Sequence, residues 1–136
     1  MIEIDEGAWP LVIFRFRGQA SMEELNTYLA RQDVLLARKE PMLSLVLAQE
    51  AKLWETPVLR RQADWIKQNQ ELLRRYSLGA ALVIQSPIVR GMLKAILWIQ
   101  PMPQPHAVFP TVEGALRWLR EQVARAKLSI AVPERL

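Results

Sequence analysis

Short apolar runs alternate along this chain with longer segments in which apolar residues recur every three or four positions. The first run, Trp9–Arg17, alternates toward its end, with Ile13 and Phe14 on opposite sides. This pattern predicts a half-buried β-strand. Met1–Asp5 is expected to pair with that strand as a short antiparallel partner, across a turn at Glu6–Gly7.

A capping box predicts where the first helix begins. Ser21 and Glu24 stand three residues apart, so that each side chain is able to accept a hydrogen bond from the other residue's backbone N–H. The helix is expected to stop before Pro41. Its apolar face consists of Leu25, Tyr28, Leu29, Leu35 and Leu36. Met42–Leu47 follows as an almost wholly apolar run, which is typical of a strand buried on both faces.

Two hydroxyl–proline pairs predict the starts of two further helices. Thr56–Pro57 is expected to supply an N-cap followed by proline at the first helical position, and Ser86–Pro87 repeats the arrangement. The earlier helix is predicted to run unbroken to Tyr76, and the later one to end at Ile99. The apolar stripe of the earlier helix is Val58, Leu59, Ala63, Trp65, Ile66, Leu72, Leu73 and Tyr76. Between the two helices, Ala80–Ile84 predicts another buried strand.

The C-terminal part predicts a stiff connector, a short strand and a final helix. The prolines of Gln100–Pro105 remove backbone donors and exclude a helix there. His106–Phe109 is predicted to be a strand that Pro110 ends, and the hydroxyl of Thr111 is expected to cap the last helix. The apolar face of that helix consists of Ala115, Leu116, Leu119 and Val123.

The order of the predicted elements is β-β-α-β-α-β-α-β-α. Strands that alternate with helices indicate an α/β fold with a mainly parallel sheet, right-handed crossovers and helices packed on the sheet. The N-terminal strand is the antiparallel exception. For a chain of 136 residues we expect one domain over residues 1–136, with 128–136 as a candidate loose tail.

Composition excludes several classes of protein. Hydrophobic residues make up 51% of the chain and charged residues 24%, which indicates a globular protein rather than a disordered or fibrous one. Because there is no cysteine, disulfides, thiol nucleophiles and thiolate metal sites are excluded. No apolar run reaches the roughly 18 residues of a membrane span, and the acidic N-terminus is unlike a secretory signal. We therefore expect a cytoplasmic protein.

The net charge of +4 is concentrated in two predicted helices. Their basic residues are Arg60, Arg61, Lys67, Arg74 and Arg75 in one, and Arg117, Arg120, Arg125 and Lys127 in the other. Two interpretations stay open. The basic surface binds phosphates or anionic lipid, or it is an ordinary solvated helix face.

Patterns for catalysis and cofactor binding are absent from the sequence. His106 is the single histidine and is expected at a strand edge or in a loop, so neither a multi-histidine metal site nor a catalytic triad is predicted. The scattered glycines form no phosphate-binding loop. Trp65 and Tyr76 lie in an apolar stripe, so nucleic-acid binding is not expected. We expect a protein that is not an enzyme and that holds neither a cofactor nor a metal.

The third predicted helix carries more apolar surface than one face of a sheet requires. Its expected core face consists of Ile88, Met92, Ala95, Ile96 and Ile99. Leu93, Leu97 and Trp98 lie on the other side, beside Arg90 and Lys94, and these five residues form the candidate binding site. Three interpretations of what covers this surplus apolar surface stay open. It is covered by the protein's own N-terminal hairpin or C-terminal tail, by a second copy or a partner protein, or by an apolar ligand or membrane surface.

Three segments carry a resemblance to a known family. Phe14–Gly18 leads into a capped helix, Leu43–Leu47 is an apolar strand, and Phe109–Leu119 joins a phenylalanine strand to an Ala-Leu-x-Trp-Leu helix. Together they resemble the STAS superfamily, named for sulfate transporters and anti-anti-sigma factors, and within it the SpoIIAA-like branch of small bacterial proteins. The resemblance implies a STAS-like fold over nearly the whole chain.

The resemblance also implies two kinds of function. Anti-anti-sigma members bind a partner protein and are switched by phosphorylation of a serine or threonine that follows an aspartate at the start of a helix. The matching stretch here, Ala48–Thr56, has no Asp-Ser pair, and Thr56 is its only hydroxyl near the helix start. SpoIIAA-like members lack the switch and are associated with apolar ligands and membrane surfaces, which implies a location peripheral to a membrane. We expect a non-enzymatic binding or regulatory module, with a regulator switched through Thr56 as the alternative.

Overall fold

The computed structural model describes residues 1–136 and contains one five-stranded sheet and five helices. The strands are β1 (Ile2–Ala8), β2 (Leu11–Gly18), β3 (Met42–Ala51), β4 (Ser77–Val83) and β5 (His106–Phe109). The helices are α1 (Met22–Leu36), α2 (Thr56–Gln68), α3 (Gln70–Tyr76), α4 (Pro87–Ile99) and α5 (Val112–Arg125). The strands lie in the order β1-β2-β3-β4-β5, with β1 antiparallel to β2 and every other pair parallel. The predicted α/β class, the mainly parallel sheet and the antiparallel N-terminal strand are confirmed.

The connections place four helices on one face of the sheet and one on the other. Because consecutive parallel strands are neighbours, right-handed crossovers put α1, α2, α3 and α4 on the same face. The last helix, α5, follows the edge strand without crossing over and packs on β3, β4 and β5 from the opposite side. The sheet therefore separates a larger apolar core under α1–α4 from a smaller one under α5.

Side-chain alternation distributes β2 between the two cores. Phe14 and Phe16 belong to the core under α1–α4, whereas Leu11 and Ile13 belong to the core under α5. From Leu11 to Phe14, β2 is buried on both faces, which is more than a half-buried strand requires. Toward its end the predicted half-buried pattern is confirmed, since Phe16 is buried and Arg17 is exposed. The prediction that Ile13 and Phe14 lie on opposite sides of the strand is confirmed.

Three predicted helix caps are confirmed. In the capping box of α1, the Glu24 backbone N–H donates to Ser21 Oγ and the Ser21 N–H donates to Glu24 Oε1, each over 3.1 Å. Ser86 Oγ accepts from the Val89 N–H at the start of α4. Thr111 Oγ1 accepts from the Gly114 N–H over 3.2 Å at the start of α5. Each hydroxyl satisfies one backbone donor that the first helical turn leaves unpaired.

The N-terminal hairpin turns later than predicted. β1 continues through Glu6 and Gly7 to Ala8, and the chain reverses at Trp9 and Pro10. Proline suits this position because it lacks an N–H and its fixed φ favours turns. Just before the reversal the strand is irregular, and there the Trp9 N–H donates to the Glu6 carbonyl over 3.0 Å.

The helix predicted to run unbroken from Thr56 to Tyr76 is divided at Asn69 into α2 and α3. The side-chain Nδ2 of Asn69 donates to the Trp65 carbonyl over 2.9 Å. Asparagine competes in this way with regular helix hydrogen bonding, and Asn69 takes a non-helical backbone conformation. The break lets the short α3 lead directly into β4.

The predicted N-cap of α2 is also wrong by one residue. Glu55 occupies the N-cap position and makes no side-chain cap bond, whereas Thr56 is the first helical residue and is exposed. Pro57 then lies within the first turn, where its missing N–H costs nothing because the helix has no acceptor for it. The Thr56 hydroxyl therefore does not cap the helix.

An ion pair ties the edge strand β1 to α1. The Glu6 carboxylate accepts hydrogen bonds from the Arg31 guanidinium and, over 3.1 Å, from Arg38. The hydrogen bond from Arg31, followed by the charges of Arg31 and Arg38, holds the pKa of Glu6 below its usual value.

The segment after α5 contains no helix or strand and lies on the smaller core. Ile130 and Val132 pack against that core, and Arg120 Nη1 donates to the Pro133 carbonyl over 3.1 Å. The tail therefore packs on the face opposite α4. No helix is both long enough and apolar enough to cross a bilayer.

Candidate functional site

The helix α4 faces the core through a different side from the one predicted. Val89, Met92 and Ile96 are buried, and Leu93 and Leu97 are half-buried beside them. Three members of the predicted core face are instead exposed: Ile88, Ala95 and Ile99. Because α4 packs against α2 as well as over the sheet, this second neighbour turns Leu93 and Leu97 inward.

The other side of α4 forms an exposed apolar surface, which we call the outer strip. It consists of Ile88, Gly91, Ala95, Trp98 and Ile99. The exposed fractions of Trp98, Ile88 and Ile99 are 90%, 66% and 51%. A Cβ added at Gly91 would meet no neighbouring atom. The strip is therefore open, and neither the N-terminal hairpin nor the C-terminal tail covers it.

A cavity of about 120 Å³ lies between the inner side of α4 and the sheet. Of its 25 lining residues, 20 are hydrophobic, so it is an apolar chamber. Six of its lining residues are half-buried: Val46, Ala51, Gln62, Leu93, Leu97 and Met102.

Small side chains in the two central strands leave room for this cavity. Ser44 and Ala48 of β3 and Ala80 of β4 point toward α4 and form the cavity floor. On the other side of the sheet, β3 presents Leu43 and Leu45, and the space over Gly79 of β4 is filled by Trp118 and Gln122 of α5. The cavity therefore follows from where the small residues fall in the strand alternation.

Aromatic rings close the cavity at the carboxyl end of β3. Phe16 packs on Tyr28 with 5.2 Å between ring centroids and on Trp54 with 5.7 Å. The Trp54 backbone N–H donates to Met92 Sδ over 3.1 Å, which joins this aromatic wall to α4. Ring pairs at such distances are attractive and restrain each other's orientation.

Three buried polar atoms have no hydrogen-bond partner, and all three belong to residues that line the cavity. They are the indole Nε1 of Trp54, the hydroxyl of Ser77 and the amide Oε1 of Gln104. Each of these residues has more than nine-tenths of its surface buried. An unpaired buried polar group costs about 1–3 kcal/mol, so the packing around the cavity carries a cost in stability at these three side chains.

The cavity contains no ionisable acid or base near neutral pH. No Asp, Glu, Lys, Arg or His is among its lining residues. Burial raises the pKa of the Tyr28 phenol, which keeps this residue neutral. No group of three or more His, Asp or Glu side chains is placed to hold a metal ion. The cavity is therefore suited to binding rather than to acid–base chemistry.

The five predicted site residues are divided between two surfaces. Leu93 and Leu97 line the cavity, whereas Arg90, Lys94 and Trp98 are exposed on the outside of α4. Thr56, the residue of the alternative function, lies apart from both, at the exposed start of α2. His106 is exposed at the beginning of β5, as predicted for a strand-edge residue.

Sequence reasoning missed Trp54, Ser77 and Gln104. Trp54 stands in a connection, Ser77 precedes a run of apolar residues, and Gln104 lies between prolines. None of these settings indicates an inward-facing polar atom. The small residues Ser44, Ala48 and Ala80 were the available signal, because they interrupt runs of large apolar residues.

No protein-family model matches the chain, and no curated protein matches it. Among solved structures, a DUF3478-family protein with a SpoIIAA-like fold from Shewanella loihica PV-4 superposes with a TM-score of 0.63. Its sequence identity is 16%, over 88% of this chain and 92% of the other.

Two anti-sigma factor antagonists are similarly related. The one from Mycobacterium paratuberculosis has a TM-score of 0.60 and 13% identity, over 88% of this chain and 93% of the other. The structure of SpoIIAA in its unphosphorylated form has a TM-score of 0.62 and 11% identity, over 89% of this chain and 97% of the other. The chain therefore has a SpoIIAA-like fold, as the resemblance of its motifs implied.

Proposed function

We propose that this SpoIIAA-like domain is a non-enzymatic binding module that holds a small apolar molecule under α4 and meets an anionic membrane surface through the outer strip. The observation that carries the proposal is that α4 is apolar on two sides. Its inner side lines the cavity and its outer side is uncovered.

The cavity volume indicates the size of the group that it encloses. An apolar protein cavity of about 150 Å³ binds benzene. The present cavity of about 120 Å³ therefore suits a group of roughly the size of one aromatic ring or a short branched chain. Leu93 and Met102 line the cavity and are half-buried, so a longer molecule would extend toward solvent between them.

Charge supports an anionic surface as the partner of the outer strip. Arg90 and Lys94 flank the strip on α4, and the chain has no Asp or Glu between Glu71 and Glu113. Trp98 is suited to the boundary between lipid headgroups and acyl chains. A second copy fits less well, because an isologous contact would bring the same basic flank of both copies together.

Ligand binding is tested with toluene, which is apolar and has one aromatic ring. We expect toluene to bind and to raise the melting temperature, since a ligand at one hundred times its Kd adds about 2.7 kcal/mol to the stability. Ligand-observed NMR and thermal unfolding measure the two effects. If toluene neither binds nor stabilises the protein, the ligand-binding proposal is wrong.

Membrane binding is tested with a Trp98→Glu/Ile99→Glu double variant. We expect the unaltered protein to co-sediment with vesicles containing phosphatidylserine, and the variant's partition coefficient to fall by about tenfold or more, since it loses apolar burial and gains negative charge. Val34→Glu places a new charge at another exposed apolar residue, on α1, and serves as the matched control.

Two outcomes contradict the membrane proposal. One is equal sedimentation of the double variant and the Val34→Glu control. The other is a dimer, detected by light scattering, that the double variant abolishes while vesicle binding is unchanged. That second result assigns the outer strip to a second copy of the chain.

A phosphorylation-switched regulator is the second candidate function. The favouring observation is that Thr56 is exposed and makes no cap at the start of α2, so its hydroxyl is free for modification. Two solved structures with this fold are described as anti-sigma factor antagonists, one of them in its unphosphorylated form. A phosphate near a helix N-terminus interacts favourably with the helix dipole.

A Thr56→Ala variant tests this candidate. Because the hydroxyl caps nothing, we expect the free energy of unfolding to change by less than about 0.5 kcal/mol. Incubation with a cognate kinase and ATP is expected to add one phosphate to the unaltered protein and none to the variant, as measured by mass spectrometry. Equal phosphorylation of both proteins rules out Thr56 as the switch.

A further inference from the structure

We infer that the membrane-binding surface extends from α4 onto the edge strand β5, and that protonation of His106 strengthens its binding to an anionic bilayer. The inference rests on the proposed membrane-binding function and adds its regulation by pH. Its basis is that the single histidine of the chain is exposed on the face of the sheet that carries α4.

The register of β4 and β5 fixes the direction of the His106 side chain. His106 pairs with Ala80 and Val108 pairs with Leu82, and residues paired in neighbouring strands point to the same face of a sheet. Ala80 lines the cavity under α4, and Leu82 belongs to the core on that face. His106 and Val108 therefore point to the side of the sheet on which α4 lies.

The helix α4 does not cover this side of the edge strand. Ala80 and Leu82 are buried, whereas their partners His106 and Val108 are exposed, Val108 by 37% of its surface. The chain has ten exposed large hydrophobic residues, and four of them belong to α4 and β5: Ile88, Trp98, Ile99 and Val108. Because β5 is open beside the helix, Val108 and His106 extend the surface that begins with the outer strip.

A backbone hydrogen bond decides which ring nitrogen of His106 takes up a proton. Nδ1 lies 3.1 Å from the carbonyl oxygen of Gln104, and a carbonyl oxygen only accepts hydrogen bonds. Nδ1 therefore carries the hydrogen of the neutral ring, and Nε2 is the nitrogen that gains one. Since Nε2 has no hydrogen-bond partner within the protein, the protonated ring has a free N–H to donate to a lipid phosphate oxygen.

The charged groups around His106 favour an anionic partner. On this face α4 contributes Arg90 and Lys94, and neither β4 nor the connector 100–105 contains an ionisable acid or base. The helix α5, which packs on the opposite side of the sheet, carries the other charges near β5: Glu113, Arg117, Arg120, Glu121 and Arg125. Protonated His106 is therefore a third cation beside the outer strip, and no carboxylate of the bordering elements on this face neutralises it.

The direction of the pH effect follows from these charges. Histidine is the side chain whose ordinary protonation range lies between pH 5 and 8. As the pH falls through this range, the surface gains one positive charge while a phosphodiester headgroup stays anionic. One cation close to an anionic bilayer raises the partition coefficient about fivefold. Membrane binding is therefore expected to tighten as the pH falls.

Co-sedimentation of the full chain with vesicles of phosphatidylglycerol and phosphatidylcholine tests the inference. Phosphatidylglycerol is suited to this test because its one ionisable group is the phosphodiester, so the charge of the vesicles does not change with pH. We expect the partition coefficient to be about fivefold higher at about pH 5.5 than at about pH 7.5. Vesicles of phosphatidylcholine alone are expected to show no such increase.

Two substitutions at His106 separate its charge from the other titrating groups. His106→Gln keeps an N–H for the Gln104 carbonyl but stays uncharged, so the increase at low pH is expected to disappear. His106→Arg is charged at both pH values and is expected to bind at the higher pH as tightly as the unaltered protein binds at the lower. Both variants keep every carboxylate and the N-terminal amine, so a changed pH response belongs to residue 106.

A relocated histidine is the matched control. The His106→Gln/Ser129→His variant moves the titrating group to an exposed position of the C-terminal tail, which packs on the side of the sheet opposite α4. Its vesicle binding is expected to be as independent of pH as that of His106→Gln. The extension onto β5 is tested separately with Val108→Glu, which is expected to lower the partition coefficient about fivefold or more, while Val34→Glu on α1 leaves it unchanged.

The outcomes distinguish the inference from the proposed function. If the unaltered protein binds anionic vesicles at neither pH, the membrane-binding function is wrong and the inference fails with it. If it binds equally at both pH values, or if His106→Gln keeps the increase, the function stands and the role of His106 is wrong. An equal increase with the relocated histidine overturns the inference as well, because net charge then determines binding. Unchanged binding of Val108→Glu overturns the extension of the surface onto β5.

Discussion

An Ala80→Leu variant is expected to bind toluene at least about tenfold more weakly than the unaltered protein, while its free energy of unfolding stays equal or rises by up to about 2 kcal/mol. Ala80 is buried in the cavity floor, at the centre of β4. A leucine there is larger by an isopropyl group, which enters the space that a ligand would occupy. Filling a cavity adds dispersion contacts and apolar burial to the folded state. Toluene titration and urea unfolding measure the two effects.

The neighbouring Ala81→Leu variant is the control for this prediction. Ala81 belongs to the same strand, but its side chain lies in the smaller core under α5, which has no comparable cavity. Overpacking is expected to lower the stability by about 1–3 kcal/mol, while the folded fraction keeps its toluene affinity. Retention of full toluene binding by Ala80→Leu would contradict the assignment of the cavity as the ligand site.

A Leu119→Ala variant is expected to lower the free energy of unfolding by about 2–5 kcal/mol and the melting temperature by roughly 10 °C. Leu119 lies on α5 with 0% of its surface exposed. Since α5 is the only helix on its face of the sheet, no neighbouring helix is available to collapse into the space left behind. Chemical and thermal unfolding monitored by circular dichroism measure the loss.

Leu128→Ala makes the same substitution just after α5, where the side chain is partly exposed. We expect it to change stability by less than about 1 kcal/mol, since little apolar surface is lost. Similar losses from Leu119→Ala and Leu128→Ala would mean that α5 is not packed on the sheet as described. The toluene affinity of the folded Leu119→Ala variant is expected to be unchanged, because Leu119 and the cavity lie on opposite sides of the sheet.

Much of the fold was predictable because the signals that define its elements are local. The capping box at Ser21 and Glu24 and the hydroxyl caps at Ser86 and Thr111 depend on residues within one helical turn of each other. The alternation of strands and helices then indicated the parallel sheet. The break at Asn69 was not predictable in this way, since an asparagine side chain either points to solvent or bonds a carbonyl one turn earlier.

The candidate site was predictable only in part. An excess of apolar residues singled out α4, and the structure shows that this helix is apolar on two sides. Spacing alone could not tell which of the two sides faces the sheet. Contact with α2 decided this, turning Leu93 and Leu97 toward the cavity and leaving Ile88 and Ile99 outside. The five predicted residues are therefore divided between the cavity and the outside of α4.

The sequence by itself determined the order of the strands and helices, three helix caps, the absence of thiol chemistry and the surplus of apolar surface on α4. Only the tertiary structure decided which apolar residues of α4 line a cavity and which are exposed. The physical reason is that a cavity and an unpaired buried atom are properties of side chains from distant segments that meet. Ser44 and Ala80 become neighbours only when β3 and β4 pair, and with Ala48 they become a cavity floor only when α4 lies over them.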